Sequence, residues 1–305
     1  MTHAVLKVLV GAAVGASTDG KATTPWRQAR FTRAAGLAWV RADADGVHLR
    51  LPCASGLHDA AGAIDSRAIV AMLDHVASAA IYRLIPAATP IATLELRVAF
   101  ARPASPGGAL TLHARTPHIA GGVALVEATA CDAASGTVVA QASGSFYVGA
   151  SPGGDTERSD TGEEALHELG RQTAAHFDSF ESFAGLLRDN AGASAPQDSA
   201  TAGAPMVRLP FAPRLIGAES LPALHGGAVA AVLATAGCDL AAGESAHHLA
   251  VLTVQYLRAG RAEETQAHAV FDKRGGRANF VSVIATQANG TREVARAQCI
   301  FVAET

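Results

Sequence analysis

Ala68-Ile69-Val70-Ala71-Met72-Leu73 returns 160 residues later as Ala228-Val229-Ala230-Ala231-Val232-Leu233, each copy set inside a long run of small apolar residues. Two further matches follow in the same order. Leu96-Arg-Val-Ala-Phe-Ala-Arg102 aligns with Leu252-Thr-Val-Gln-Tyr-Leu-Arg258 at an offset of 156, and Val139-Ala-Gln-Ala142 with Phe146 aligns with Val294-Ala-Arg-Ala297 with Phe301 at 155. Offsets that shrink slowly along the chain are what a duplicated domain leaves after small loop deletions.

Around each quoted run the coarse order is the same: a leading helix, a strand (Gly46-Val-His-Leu-Arg-Leu51 in the first copy), one long apolar helix, then three or four β-rich runs. Ser135-Gly136-Thr137 and Asn289-Gly290-Thr291 punctuate the later runs as hairpin turns between Val/Ile/Phe alternation, so the strands are expected to pair antiparallel. The helix expected from Ser66 to about Tyr82 is apolar on nearly every face. Such a helix is wrapped rather than laid on a surface. The class is therefore α+β, an antiparallel sheet curled around a buried helix, twice over.

The boundary falls near residue 155, where the stretch from Gly149 to Gly162 is polar and glycine-containing with no apolar period. We divide the chain into an N-terminal extension (1–28), a first domain (29–150), a linker (151–163) and a second domain (164–305). Asn190 to Pro205, inside the second domain, is a low-complexity segment expected to be a mobile surface loop.

Composition narrows the function classes. The 305 residues are 49% hydrophobic and 17% charged, within the globular range and long enough for two cores. A net charge of -3 with no Lys/Arg cluster argues against a nucleic-acid partner. Cys53, Cys131, Cys238 and Cys299 lie far apart, without a CxxC pair, which points away from zinc or a disulfide framework and toward a reducing cytoplasm. The apolar start, Ala4 to Ala16, is broken by Lys7 and has no basic cluster before it, so a secretory signal is not expected. No apolar run approaches the ~20 residues of a membrane span.

The two apolar helices differ where chemistry could sit. The first begins Asp65-Ser66-Arg67, with an ordinary N-cap; the second begins His225-Gly226-Gly227, a poor cap and a costly helix start. Glycines there leave bare N–H groups at the positive end of the helix dipole, suited to a developing oxyanion; the alternative is a tight packing turn. Nine residues after these starts the first helix carries Asp74 and the second Ala234, so the fold packs without the acid. A carboxylate inside an apolar helix is desolvated, its proton affinity raised toward that of a base or nucleophile near neutral pH; the alternative is a structural Asp.

His-Gly-Gly opening an apolar helix, an acid nine residues after the His position, and the Phe100-Ala-Arg-Pro103 strand end together resemble the hotdog-fold acyl-CoA thioesterases of the phenylacetyl-CoA and 4-hydroxybenzoyl-CoA type. The resemblance spans roughly residues 29–150 and 164–305. It implies two tandem hotdog domains pairing side by side, with each potential site taking its helix-start glycine from one domain and its acid from the other. One composite site would then join Asp74 and Thr93 to His225, Gly226 and Gly227. The other, pairing Asp65-Ser66-Arg67 with Ala234, would be structural. The resemblance further implies an acyl-CoA substrate with no separate cofactor or metal, substrate contacts from Arg102 and His118, for which a strand-end salt bridge and an ordinary solvated residue are the respective alternatives, and a monomer with an internal pseudo-dimer or a homodimer. The family's Asn or Gln shortly before this motif is replaced by Ala218-Glu219.

Other motifs carry less. Gly15 to Lys21 mimics a phosphate-binding loop, but Ala22 stands where Ser or Thr must hold magnesium and Pro25 blocks the helix. His247-His248 has no ligand-spaced partner and is expected in the loop before a strand. Lys273, Arg274 and Arg277 read equally as nucleotide contacts or solvated residues. The rival function is an acyl-CoA or acyl-group binding module without turnover. A hydratase would need an Asp-His pair in its characteristic loop, which the chain lacks.

Overall fold

The computed structural model describes residues 29–86, 89–149, 173–189, 206–218, 221–242 and 247–303. The first half runs α1 (Arg30–Ala34), β1 (Ala38–Asp43), β2 (Gly46–Leu51), α2 (Ser66–Tyr82), β3 (Ile91–Phe100), β4 (Leu110–Ala120), β5 (Val123–Asp132) and β6 (Val138–Val148). The second runs α3 (Phe180–Ala184), β7 (Leu187–Asp189), β8 (Met206–Leu209), a small β9–β10 pair (Ile216–Ala218, Leu221–Leu224), α4 (Gly226–Ala241), β11 (His247–Tyr256), β12 (Thr265–Lys273), β13 (Ala278–Gln287) and β14 (Arg292–Ala303). β3 and β11 begin 156 residues apart, matching the repeat read from sequence.

All strands but β9 and β10 join one sheet in the order β1-β2-β4-β5-β6-β3-β11-β14-β13-β12-β8-β7. The order reads as its own mirror image about the β3–β11 seam, where Glu95 to Ala99 pairs antiparallel with Gln255 to Val251. Each half is an antiparallel sheet wrapped around a helix, in the α+β class expected. The apolar cores are not separate, however: one cluster of buried side chains runs through both halves. Strand pairing at the seam and close packing of α2 on α4 join them.

Both central helices are enclosed because their sequences carry apolar side chains on every face. Thirteen of the seventeen residues of α2 are buried, as are twelve of the sixteen in α4. Small side chains let the two approach: a β-carbon at Gly227 would lie 2.5 Å from Ala71 Cα. The hairpin turns fall where expected, with Gly136 at φ 70° and Asn289 at φ 53°, left-handed values that Gly and Asn tolerate best. His247 and His248 depart from expectation. They open β11 itself, opposite Ala303 and Val302, because the edge of β14 extends far enough to pair with them.

The extension (1–28), the linker (151–163) and the 190–205 segment lie outside the described residues. Among the described residues no helix is long and apolar enough to cross a membrane.

Candidate active site

The break in helix-start chemistry at α4 has a physical explanation. His225 is the N-cap, and its Nδ1 accepts the Gly227 N–H at 2.9 Å, so the imidazole performs the task usually given to Ser or Asp. The expectation of a poor cap is corrected. Gly226 N–H, one position in, meets no acceptor among the described residues. The two glycines are needed for different reasons. Gly227 backs onto the Ala71 backbone, the tight packing that was the alternative reading, whereas a β-carbon on Gly226 would lie 2.8 Å from Asp74 Oδ2.

Asp74 reaches this point from α2, across the seam. It is only 3% exposed. Thr93, near the start of β3, donates its hydroxyl to Asp74 Oδ1 at 2.9 Å, leaving Oδ2 toward Gly226 and 3.7 Å from His225 Nδ1. Burial raises the proton affinity of the carboxyl, opposed by His225, by the Thr93 hydrogen bond and by the Gly227 N–H. Tyr256, at the end of β11, donates to the Gly226 carbonyl at 3.1 Å; burial, and then the Asp74 charge, push its phenol well above the usual range.

Behind His225 lies a chain of buried polar groups that sequence reasoning missed. His225 Nε2 is 3.5 Å from His75 Nδ1, and His75 Nε2 is 3.4 Å from Thr32 Oγ1, which donates to the Ala29 carbonyl at 3.1 Å. Thr32 has spent its one hydrogen, so His75 Nε2 is the donor to it and His75 Nδ1 the acceptor. His225 then carries its proton on Nε2, consistent with Nδ1 accepting from Gly227. Burial lowers the basicity of both rings, His75 strongly, which keeps them neutral. His225 therefore caps α4 and has no free lone pair for base catalysis. The available signal was a second ionisable residue, His75, beside Asp74 in an otherwise apolar helix.

The equivalent place on the other side of the seam is closed. Arg67 stands where Gly227 stands in α4, and its guanidinium binds Asp65, Glu181 at 2.9 Å and Thr235 at 3.2 Å while lying 5.7 Å from the Phe180 ring centroid. Ala234 replaces the acid and is fully buried. Glu181, drawn down to about 2 by hydrogen bonding to Arg188 and Arg67, continues the network to Arg188 and Asp239. Arg67 and its partners thus tie the two halves together.

Asp74, Thr93, His225, Gly226 and Gly227 are brought together, but Arg102 and His118 are not among them. Arg102 follows Phe100 at the far end of β3 from Thr93; Phe100 is the repeat counterpart of Tyr256 and so flanks the closed site. The strand-end arginine on the Asp74 side is Arg258, whose guanidinium donates to the Glu293 carbonyl at 2.7 Å. His118 opposes exposed Leu125 on the outer face of the sheet because β4 bulges between Arg115 and His118, turning Ile119 inward instead. A cleft of about 530 Å³ touching Arg50 and Cys53 also lies away from Asp74, toward the opposite end of β4.

With this geometry in hand, residues 17–148 match the family model described as the acyl-CoA thioesterase C-terminal domain, and residues 218–302 match the acyl-CoA thioesterase N-terminal domain. The order of the halves is inverted relative to those descriptions. A site built across a two-fold seam is indifferent to which half comes first, since only the linker must span the change. No curated protein matches the chain in a sequence search. Among solved structures, a putative thioesterase from Novosphingobium aromaticivorans superposes with a TM-score of 0.60 at 12% identity, covering 88% of this chain and 99% of that one. A tesB protein from Mycobacterium avium subs paratuberculosis gives 0.59 at 13% identity, covering 90% and 98%. A conserved protein of unknown function with a hot dog fold from Alicyclobacillus acidocaldarius gives 0.56 at 16% identity, again covering 90% and 98%. At these identities the likeness establishes the fold.

Proposed function

Because the chain belongs to the family of tandem hotdog acyl-CoA thioesterases, we propose that it hydrolyses an acyl-CoA thioester to the free acid and CoA at one composite site per chain. The observation that carries this reading is the Asp74 carboxylate held against Gly226 at the amino end of α4, with the Gly226 N–H uncommitted.

The thioester carbonyl oxygen accepts the Gly226 N–H, and the helix dipole supports the negative charge that builds on it. Thr93 holds Oδ1 of Asp74, so Oδ2 is the reacting atom. It either takes a proton from water as that water attacks the carbonyl carbon, or attacks the carbon itself to give a mixed anhydride that water then cleaves. In both routes the C–S bond breaks with its electron pair leaving on CoA sulfur. Tyr256 and His225 hold the α4 start in place from two sides.

A thiol-detecting assay over short, long and aromatic acyl-CoAs tests the reading. Release of free thiol with at least one class is expected. Saturable acyl-CoA binding without thiol release would instead support the binding-module reading, for which the missing Asn or Gln before His225 is the sequence argument.

A further inference from the structure

We propose that Cys53 and His58 form a reactive thiol pair, a covalent modification site for small carboxylate-bearing electrophiles, independent of the Asp74 site.

Pro52-Cys53-Ala54-Ser55-Gly56-Leu57-His58 leaves β2 and folds back through a 3-10 turn, placing Cys53 Sγ 2.8 Å from His58 Nε2. The turn is pinned rather than loose. Leu57 N–H donates to Ala54 O at 2.9 Å, His58 N–H to Ser55 O at 3.0 Å, and Phe180 N–H from the second half to His58 O at 3.2 Å. Gly56 is pressed against the second half so closely that a β-carbon there would lie 2.2 Å from the Ala174 carbonyl oxygen. An imidazole fixed at this distance is placed to accept the thiol proton as the sulfur attacks, the role of a general base beside a nucleophile.

Cys53 opens on the 530 Å³ cleft, whose walls are the small residues Gly36, Ala38, Gly107 and Ala109 and whose one charged side chain is Arg50. Arg50 has no carboxylate partner among the described residues. A guanidinium lining the same cleft as a nucleophile suits an electrophile bearing a carboxylate. In the reaction, a sulfur lone pair forms the S–C bond, the leaving group departs with its bonding pair, and the thiol proton passes to His58. The other cysteines provide internal controls. Burial raises the proton affinity of Cys131, lifts Cys238 to about 12 and pushes Cys299 well above the usual thiol range.

The test is the rate of carboxymethylation of each cysteine by iodoacetate at pH 7, followed by peptide mass spectrometry on the full chain. Cys53 is expected to react at least tenfold faster than Cys131. His58→Gln should slow Cys53 at least tenfold, and Arg50→Gln should abolish a preference for iodoacetate over neutral iodoacetamide. Wild-type Cys53 reacting no faster than Cys131, a rate insensitive to His58→Gln in a variant with unchanged circular dichroism, or no preference between the two reagents would each overturn the proposal.

Discussion

Asp74 and Gly226 stand on helices from opposite halves of the chain, with Asp74 Oδ2 occupying the space a β-carbon at 226 would need, at 2.8 Å. The acid and the bare amide are mutually fitted. Gly226→Ala would ordinarily favour a helix start by about 0.5–1 kcal/mol. Here its methyl must displace a buried carboxylate, so kcat/KM is expected to fall at least tenfold. Steady-state kinetics beside thermal unfolding check this; activity within twofold of wild type would mean the contact is incidental.

Gly227→Ala makes a contrasting prediction. Its β-carbon would meet the Ala71 backbone, which cannot rotate away. Overpacking of this kind costs about 1–3 kcal/mol, so denaturant titration should show a clear loss of stability, larger than that of Gly226→Ala.

How much of this was legible in sequence depended on range. The duplication and both helices were visible because they rest on apolar periodicity and on comparing two copies, whereas the pairing of Asp74 with the α4 start was implied by the family resemblance. The separate roles of Gly226 and Gly227 were not, since both depend on the distance between helices distant in sequence. Arg102 was misplaced for want of the seam's direction: residues at the end of β3 flank the closed site, and only the β3–β11 register reveals it. His118 was misplaced by a bulge. Alternation from Leu110 through Leu112 and Ala114 points position 118 inward until one extra residue reverses the phase.

The buried histidines set a pH dependence of stability. Burial lowers the folded-state proton affinity of His75 and His225, so their contribution is present above the unfolded value of about 6.5 and is lost as pH falls below it toward the folded values. Asp74, shifted upward, works in the opposite sense: its stabilisation is full below the unfolded carboxylate value and is lost as pH rises through the folded one. His75→Phe should flatten the loss of stability between pH 7 and 5. An unchanged slope in chemical denaturation across that range would contradict the neutral-histidine chain.

Thr93→Val removes the hydrogen bond that favours ionised Asp74. The acid limb of the kcat/KM profile should therefore move to higher pH, with little change in folding. A shift to lower pH would place Thr93 outside the reaction.

Arg67→Met should affect stability and spare activity. It strands the buried Asp65 carboxylate, a loss on the order of 3–5 kcal/mol for a broken buried pair, but touches nothing at Asp74. A fall in kcat/KM parallel to that of the Asp74 site variants would show that the second site is not closed.

The most direct measurement is free-CoA release by wild type and Asp74→Asn with the same acyl-CoA. The substitution keeps the side chain's shape and its acceptor for Thr93 while removing the carboxylate proposed as base or nucleophile. We expect release to fall at least about 100-fold, within the range contributed by a positioned acid or base, while the variant unfolds at a temperature no lower than wild type. Undiminished release by Asp74→Asn would contradict the composite site.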